Sequence, residues 1–285
     1  MNAEPEIAVI TVSYASEGVL GPFLDSVAAA CSVAVEIVVA DNKPGEHSEV
    51  QRLAATHEAL YLPLPANPGY GGAMNAAIAT LPASVQWILI SNPDIVLCAG
   101  AVDRLIEVGR SADDIGSVGP LVMTDGVPYP SARSVPSLRT GIGHALFARV
   151  WPSNPWTRRY HGATADGGEA DAGWLSGSCL LVRRAAFDEV GGFDEGYFMY
   201  FEDVDLGYRL GKRGWRNRYA PASMVEHSGA HSTTGESRRM IDAHHRSAYR
   251  FLTKKYPGPL LAPLRLVLRT GLAIRTRLES RDRPR

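Results

Sequence analysis

A chain of 285 residues, 45 % apolar and 21 % charged, can bury a sizeable core and lies outside the disordered and fibrous classes. The acidic first six residues do not resemble a signal peptide, and no uninterrupted apolar run is long enough to span a bilayer. The formal charge of −1 hides an asymmetry: residues 235–285 hold 13 Lys or Arg against 4 Asp or Glu, and the remainder holds 16 basic and 26 acidic residues, so an acidic body carries a basic tail.

In chain order, residues 6–13 form a β-branched run expected as a central strand. Residues 16–30 follow with Val19, Leu20, Phe23, Leu24, Val27 and Ala30 at helical spacing. A second strand over 35–40 ends at Asp41-Asn42. A helix at 47–57 and a strand at 60–63 come next, then Asn67-Pro-Gly-Tyr-Gly-Gly72 opening a helix through Asn75, Ile78 and Leu81. The run 87–91 is a fourth strand ending at Asn92-Pro-Asp94, and a helix at 99–110 and a strand at 116–122 complete the alternation. This order implies an α/β fold, a mostly parallel sheet between helices, with ligands beyond the carboxyl ends of its strands. Asp41, the 67–72 turn and Asp94 therefore share one crevice.

From 128 to 173 the periodicity dissolves, which we read as a substrate-covering insertion with a helix near 138–149. Residues 178–182 are a short buried strand leading through Gly191-Gly192 into Asp194-Glu195 and Glu202-Asp203-Val204-Asp205, ahead of a helix at 206–210. These five carboxylates in twelve residues are interleaved with Phe193, Tyr197, Phe198, Tyr200 and Phe201, unlike a solvated charge run. Acidic residues opening a helix are stabilised by its dipole, which accounts for one or two of them. A carboxylate walled by aromatics is also the setting that makes a base. A strand at 216–220, the histidines His227 and His231, and a helix at 236–255 follow. The tail over 260–278 is amphipathic if helical. It suits either packing on the body or a partner subunit, or lying on an anionic lipid surface. Cys31, Cys98 and Cys179 are widely spaced in apolar contexts and read as reduced thiols of a cytosolic protein.

The 67–72 turn is neither a dinucleotide fingerprint nor a P-loop, although a glycine-rich helix N-terminus offers N–H groups to an anion. Asp94 is either a strand terminator or a ligand for Mg²⁺ or Mn²⁺ under a diphosphate.

The succession Asp41-Asn42, Asn67 to Asn75, Asn92-Pro-Asp94 and Gly191-Gly-Phe-Asp-Glu-Gly-Tyr-Phe-Met-Tyr-Phe-Glu-Asp-Val-Asp-Leu-Gly207 resembles the family-2 inverting glycosyltransferases of the GT-A fold. The resemblance covers most of residues 6–255, a GT-A domain with a nucleotide-sugar-binding half (1–125) and an acceptor-binding, catalytic half (126–255), followed by the tail 256–285. Tyr129-Pro-Ser-Ala-Arg133, Asn154-Pro-Trp-Thr157, residues 174–184 and Ala230-His-Ser-Thr233 further resemble actinobacterial cell-wall linker rhamnosyltransferases.

The resemblance implies transfer of L-rhamnose from dTDP-rhamnose to N-acetylglucosaminyl-diphosphoryl-polyprenol, at the cytoplasmic face of the plasma membrane, with no nucleic-acid partner. It implies Asp203 as general base, with Glu202 and Asp205 supporting it. Thr11, Ser13, Asp41, Asn67, Gly69, Gly72, Asn75 and Asn92 would bind the donor, Asp41 reading the pyrimidine. Asp94 and His227 would hold a divalent metal, and Trp174, Ser176, Gly177, Asp194 and Glu195 would meet the acceptor. Many relatives carry two aspartates where this chain has Asn92-Pro93-Asp94, so a weaker metal site is expected.

Three other readings stay open. One is a family-2 transferase for a galactofuranosyl or hexosyl donor. Another is a sugar nucleotidyltransferase, although Thr11-Val-Ser-Tyr14 stands where that class carries a Gly-rich run with a basic residue. The third is a non-catalytic binding subunit. A homo-oligomer is compatible with all of them.

Overall fold

The computed structural model describes residues 4–137, 167–228 and 237–263, with 266, 267, 269 and 270. The N-terminal part alternates as the periodicity predicts: β1 (Ile7–Ser13), α1 (Glu17–Ala30), β2 (Val35–Asp41), α2 (Glu49–Thr56), β3 (Leu60–Pro63), α3 (Gly69–Ile78) and β4 (Trp87–Ser91). A three-residue β5 (Ile95–Leu97) precedes α4 (Ala101–Arg110) and β6 (Ile115–Thr124). Four short strands follow among the described residues: β7 (Val127–Tyr129), β8 (Ala132–Arg133), β9 (Ala170–Ala172) and β10 (Trp174–Leu175). The chain continues with β11 (Cys179–Arg183), α5 (Arg184–Glu189), α6 (Glu202–Lys212), β12 (Arg216–His227) and α7 (Ser237–Lys255).

The principal sheet runs β3-β2-β1-β4-β11-β6-β12-β5, with β7 on β6 and β9 on β12. Strands β3, β2, β1 and β4 are mutually parallel, as are β6 and β12, whereas β11 is inserted antiparallel between β4 and β6. Alternation along each strand sorts the core into two layers. Val9, Val39 and Leu89 pack with α1 and α4 on one face, and Ile10, Val38 and Ile90 pack with α3 and α6 on the other. Strands covered on both faces read as continuous apolar runs, which is why β1 is buried along its whole length.

Several boundaries differ from the expected ones. The strand expected at 216–220 continues to His227 as one element, β12, whose pairing with β6 shifts register between Ala220 and Met224. The helix expected at 206–210 begins instead at Glu202, which puts Glu202, Asp203 and Asp205 in its first turn. Strands β5, β7, β8 and β9 have two or three residues each, too short to carry a period. The helix expected at 138–149 and His231 lie outside the described residues.

Candidate active site

The carboxyl ends of β1 and β2 are in register, Ser13 opposite Asp41. Asp41 is buried, and its carboxylate is held by two donors: the Lys43 N–H at 3.0 Å to Oδ1 and the Tyr61 hydroxyl at 3.0 Å to Oδ2. A carboxylate has about four acceptor positions, so this clamp leaves capacity for a ligand N–H. Among the described residues, Thr11 Oγ1, Ser13 Oγ, Asn42 Oδ1 and Asp94 Oδ1 are buried polar atoms with no hydrogen-bond partner. Native interiors seldom leave such groups unpaired. Their concentration at adjoining strand ends marks the crevice the topology predicts.

The glycine-rich turn packs closely against the 193–201 segment. Asn67 adopts φ 44°, and its Oδ1 accepts from the Gly69 N–H at 3.2 Å. Gly69 has φ +81°, and a Cβ there would lie 2.2 Å from the Phe198 carbonyl oxygen. The next amide, Tyr70 N–H, donates to that same oxygen at 3.1 Å. A Cβ on Gly72 would meet Pro68 at 2.8 Å. The first two amides of α3 are therefore taken by Asn67 and Phe198, and Gly69 admits the backbone of the 193–201 segment.

Asn75 faces the same segment. Its amide exchanges two bonds with Phe193, at 2.9 Å each, and gives a third to Glu195 Oε1 at 3.1 Å, so it braces the loop ahead of α6. Glu195 shares in that brace. The Asn92 N–H joins β4 to the Ser178 carbonyl at 2.8 Å.

Asp94 follows β4, and β5 carries the chain against β12 so that Asp94 Oδ2 and His227 Nε2 meet at 3.1 Å. Ser228 holds the Asp94 carbonyl through its N–H and hydroxyl, at 3.1 and 3.2 Å. Two residues 133 positions apart thus converge as expected. Among the described residues no group of three or more His, Cys, Asp or Glu side chains converges as a ligand cluster. The pair nonetheless fits a hard cation, since Asp94 offers a buried, unpartnered carboxylate oxygen beside an imidazole nitrogen.

Asp203 lies in the first turn of α6. Its Oδ2 accepts from the Gly177 N–H at 3.0 Å and its Oδ1 from the Val204 N–H at 2.8 Å. The Tyr70 hydroxyl donates to the Gly177 carbonyl at 2.7 Å, so α3, the β10–β11 connection and α6 meet at one point. Burial pushes the Asp203 carboxyl above its ordinary value, while the two N–H donors and the Arg133 charge act against that rise. Burial and the Asp203 charge also push Glu202 up, and its Oε2 has no partner. Burial, then Glu202, Asp203 and Asp94 together, raise the Tyr70 hydroxyl well above its usual range. Tyr70 thus registers the carboxylates of both sides of the crevice.

The remaining acidic residues serve the scaffold. Asp205 is fully buried and paired with Arg209 Nε and Lys254 Nζ, each at 2.6 Å. Asp194, expected at the acceptor, is bound by Arg250 and Lys254 at 2.8 Å each and by the Gly196 N–H at 2.9 Å. Burial alone would raise its carboxyl, yet the Arg250 and Lys254 hydrogen bonds hold it well below the usual carboxylate range. Trp174, also expected there, is buried with Tyr197, Val204 and Phe251, its indole N–H donating to the Ser134 carbonyl at 3.2 Å. Ser176 is buried, its hydroxyl 3.0 Å from that of Ser178. Of the expected acceptor residues, Gly177 is the one whose N–H bonds Asp203.

Sequence reasoning did not place Tyr61, Tyr70 or Arg133 in the site. Tyr70 lies inside a recognised motif and Arg133 inside another, but Tyr61 carries no local signal.

The family model for Glycosyl transferase family 2 matches residues 8–191, and that for Glycosyltransferase like family 2 matches residues 158–249. The chain belongs to glycosyl transferase family 2. Within this family it is 42 % identical over 286 residues to N-acetylglucosaminyl-diphospho-decaprenol L-rhamnosyltransferase of Mycobacterium tuberculosis, covering 97 % of this chain and 93 % of that protein. A rhamnosyltransferase of Escherichia coli K12 is 30 % identical over 66 % of this chain and 71 % of its own. The fold is shared at low identity with a mannosyltransferase from Pyrobaculum calidifontis, solved with GDP-Man and Mn²⁺, which superposes at TM-score 0.60 and 14 % identity, covering 99 % of this chain and 77 % of that one.

Proposed function

We propose that this family-2 enzyme is an inverting transferase that moves L-rhamnose from dTDP-L-rhamnose to N-acetylglucosaminyl-diphosphoryl-polyprenol. The observation that carries this reading is 42 % identity along 97 % of the chain to an enzyme named for an N-acetylglucosaminyl-diphospho-decaprenol acceptor and L-rhamnose. Asp203 is the general base. Its two backbone donors orient the carboxylate, and enclosure makes it a stronger proton acceptor than a solvated Asp. The acceptor hydroxyl oxygen attacks the anomeric carbon from the face opposite the nucleoside diphosphate, its proton passing to Asp203 as the sugar–phosphate bond breaks. Asp41, fixed by Tyr61 and the Lys43 N–H, accepts the pyrimidine N3–H. Asp94 and His227 would hold Mg²⁺ or Mn²⁺. Such an ion neutralises charge growing on the leaving diphosphate.

We further infer that the tail, 256–285, rests on the anionic inner face of the plasma membrane. The 13-to-4 basic excess of residues 235–285 supports this. No helix among the described residues is long and apolar enough to cross a membrane.

A transfer assay with dTDP-rhamnose and a short-chain acceptor analogue tests the reading. Rhamnosylated product is expected. Product from UDP-galactose or UDP-N-acetylglucosamine, and none from dTDP-rhamnose, would redirect it to another donor.

A further inference from the structure

The turn that delivers Asp203 is built from side chains in an unfavourable backbone region. Tyr200 and Phe201, both non-glycine, have φ of 65° and 67°, and Phe201 is the residue that caps α6. L-residues with bulky side chains rarely hold that conformation unless neighbours impose it. The neighbour here is α7. His244, Ser247, Phe251 and Lys254 recur at intervals of three and four along it and so share one face.

That face grips the turn from end to end. The Ser247 hydroxyl donates to the Met199 carbonyl at 2.8 Å. The His244 ring lies 5.4 Å from both the Tyr200 and the Phe201 rings, and Phe251 packs 5.8 Å from Phe201. Lys254 then spans the gap between loop and helix, its Nζ 2.8 Å from Asp194 and 2.6 Å from Asp205. On the opposite side the Phe198 carbonyl is fixed by the Tyr70 N–H. The segment before the base is thus clamped between α3 and α7.

We propose that Lys254 and Ser247 are positioning residues for Asp203: α7 holds the left-handed turn and the first turn of α6, and thereby sets where the base's carboxylate stands. The proposal rests on the reading of Asp203 as the base. Neither residue touches the reacting atoms in this scheme, so both act on the chemical step and leave donor binding to the strand ends. Asp205 is fully buried and shared between Arg209 and Lys254, so the 254 position must supply a second charge that also reaches Asp194, which Arg can do and Met cannot.

Steady-state transfer kinetics with dTDP-rhamnose and the acceptor analogue test this, using the full chain, Lys254→Met, Lys254→Arg, Ser247→Ala and Asp203→Asn. Displacement of a catalytic group by an ångström costs up to about a hundredfold. The expected result is therefore a fall in kcat of roughly tenfold or more for Lys254→Met with donor KM within about twofold. Lys254→Arg should recover most of the loss, and Ser247→Ala should lower kcat by about threefold with both ion pairs intact. Unchanged kcat in Lys254→Met, or kcat and donor KM worsening together without recovery in Lys254→Arg, overturns the proposal. If Lys254→Met does not fold, Ser247→Ala decides: full kcat there overturns it. An active Asp203→Asn enzyme would instead show that the base reading has failed. A dead Asp203→Asn beside a fully active Lys254→Met would sink only the positioning role.

Discussion

Asp203 and Glu202 are adjacent in sequence but differ in what faces them. Asp203 has two N–H donors that oppose the upward push of burial, whereas Glu202 is buried with an oxygen unpartnered and is pushed up by burial and by the Asp203 charge. Replacing Asp203 by Asn should cut transfer by roughly 10²–10⁴-fold, the range for general bases, while donor-induced thermal stabilisation persists. In the wild type, kcat should decline with falling pH along a limb lying above the ordinary Asp range of about 4. Glu202 makes a separate prediction in stability. Its folded value lies above its unfolded one, so its favourable contribution is complete below the unfolded value and is lost as pH rises through the folded one. Glu202→Gln should therefore raise the melting temperature on the alkaline side, by roughly 2–4 °C per kcal/mol recovered, and change little at pH 4. For the metal, Asp94→Ala should abolish the Mn²⁺-dependent part of the donor's thermal shift and leave the Mn²⁺-independent part.

At the scale of elements, the contrast between two glycines separates a close approach from ordinary helix propensity. In α3, Gly69→Ala forces a methyl against the Phe198 carbonyl at a positive φ, so it should destabilise by about 2–4 kcal/mol and depress transfer. In α6, a methyl on Gly211 meets nothing within 4 Å, and Gly211→Ala should stabilise by about 0.5–1 kcal/mol without altering kcat. Chemical denaturation of both variants reads the difference directly. Helix α6 also shows why the acidic cluster was only partly legible. Its dipole, its scaffold ion pairs and its base all draw on the same residue type within one turn, and only the partners tell Asp203 from Asp205. Asn75 is similar: in sequence it looks like a ligand amide, and in space its three hydrogen bonds are already made.

For the whole molecule, the charge division between body and tail is the main prediction. Truncation after Tyr256 should leave transfer to a soluble acceptor analogue intact and abolish co-sedimentation with anionic vesicles; vesicle binding by the truncated form would move the membrane contact to the body. The alternating order of strands and helices was readable from periodicity because the central strands β1 and β4 are buried along their whole length and α1 buries one face. The crevice was readable as well, since strand ends of a parallel sheet converge whatever the residues are. What chain order and composition determined by themselves were the layered fold, the family pattern and the asymmetric charge; the pairing of Asp94 with His227 came from the family resemblance. What only tertiary structure decided was how each polar group is spent. Tyr61 clamps Asp41, Phe198 occupies the start of α3, and Lys254 joins Asp194 to Asp205. Those pairings span 20 to 128 residues of sequence, and no local pattern records them, because a hydrogen-bond partner is chosen by distance in space.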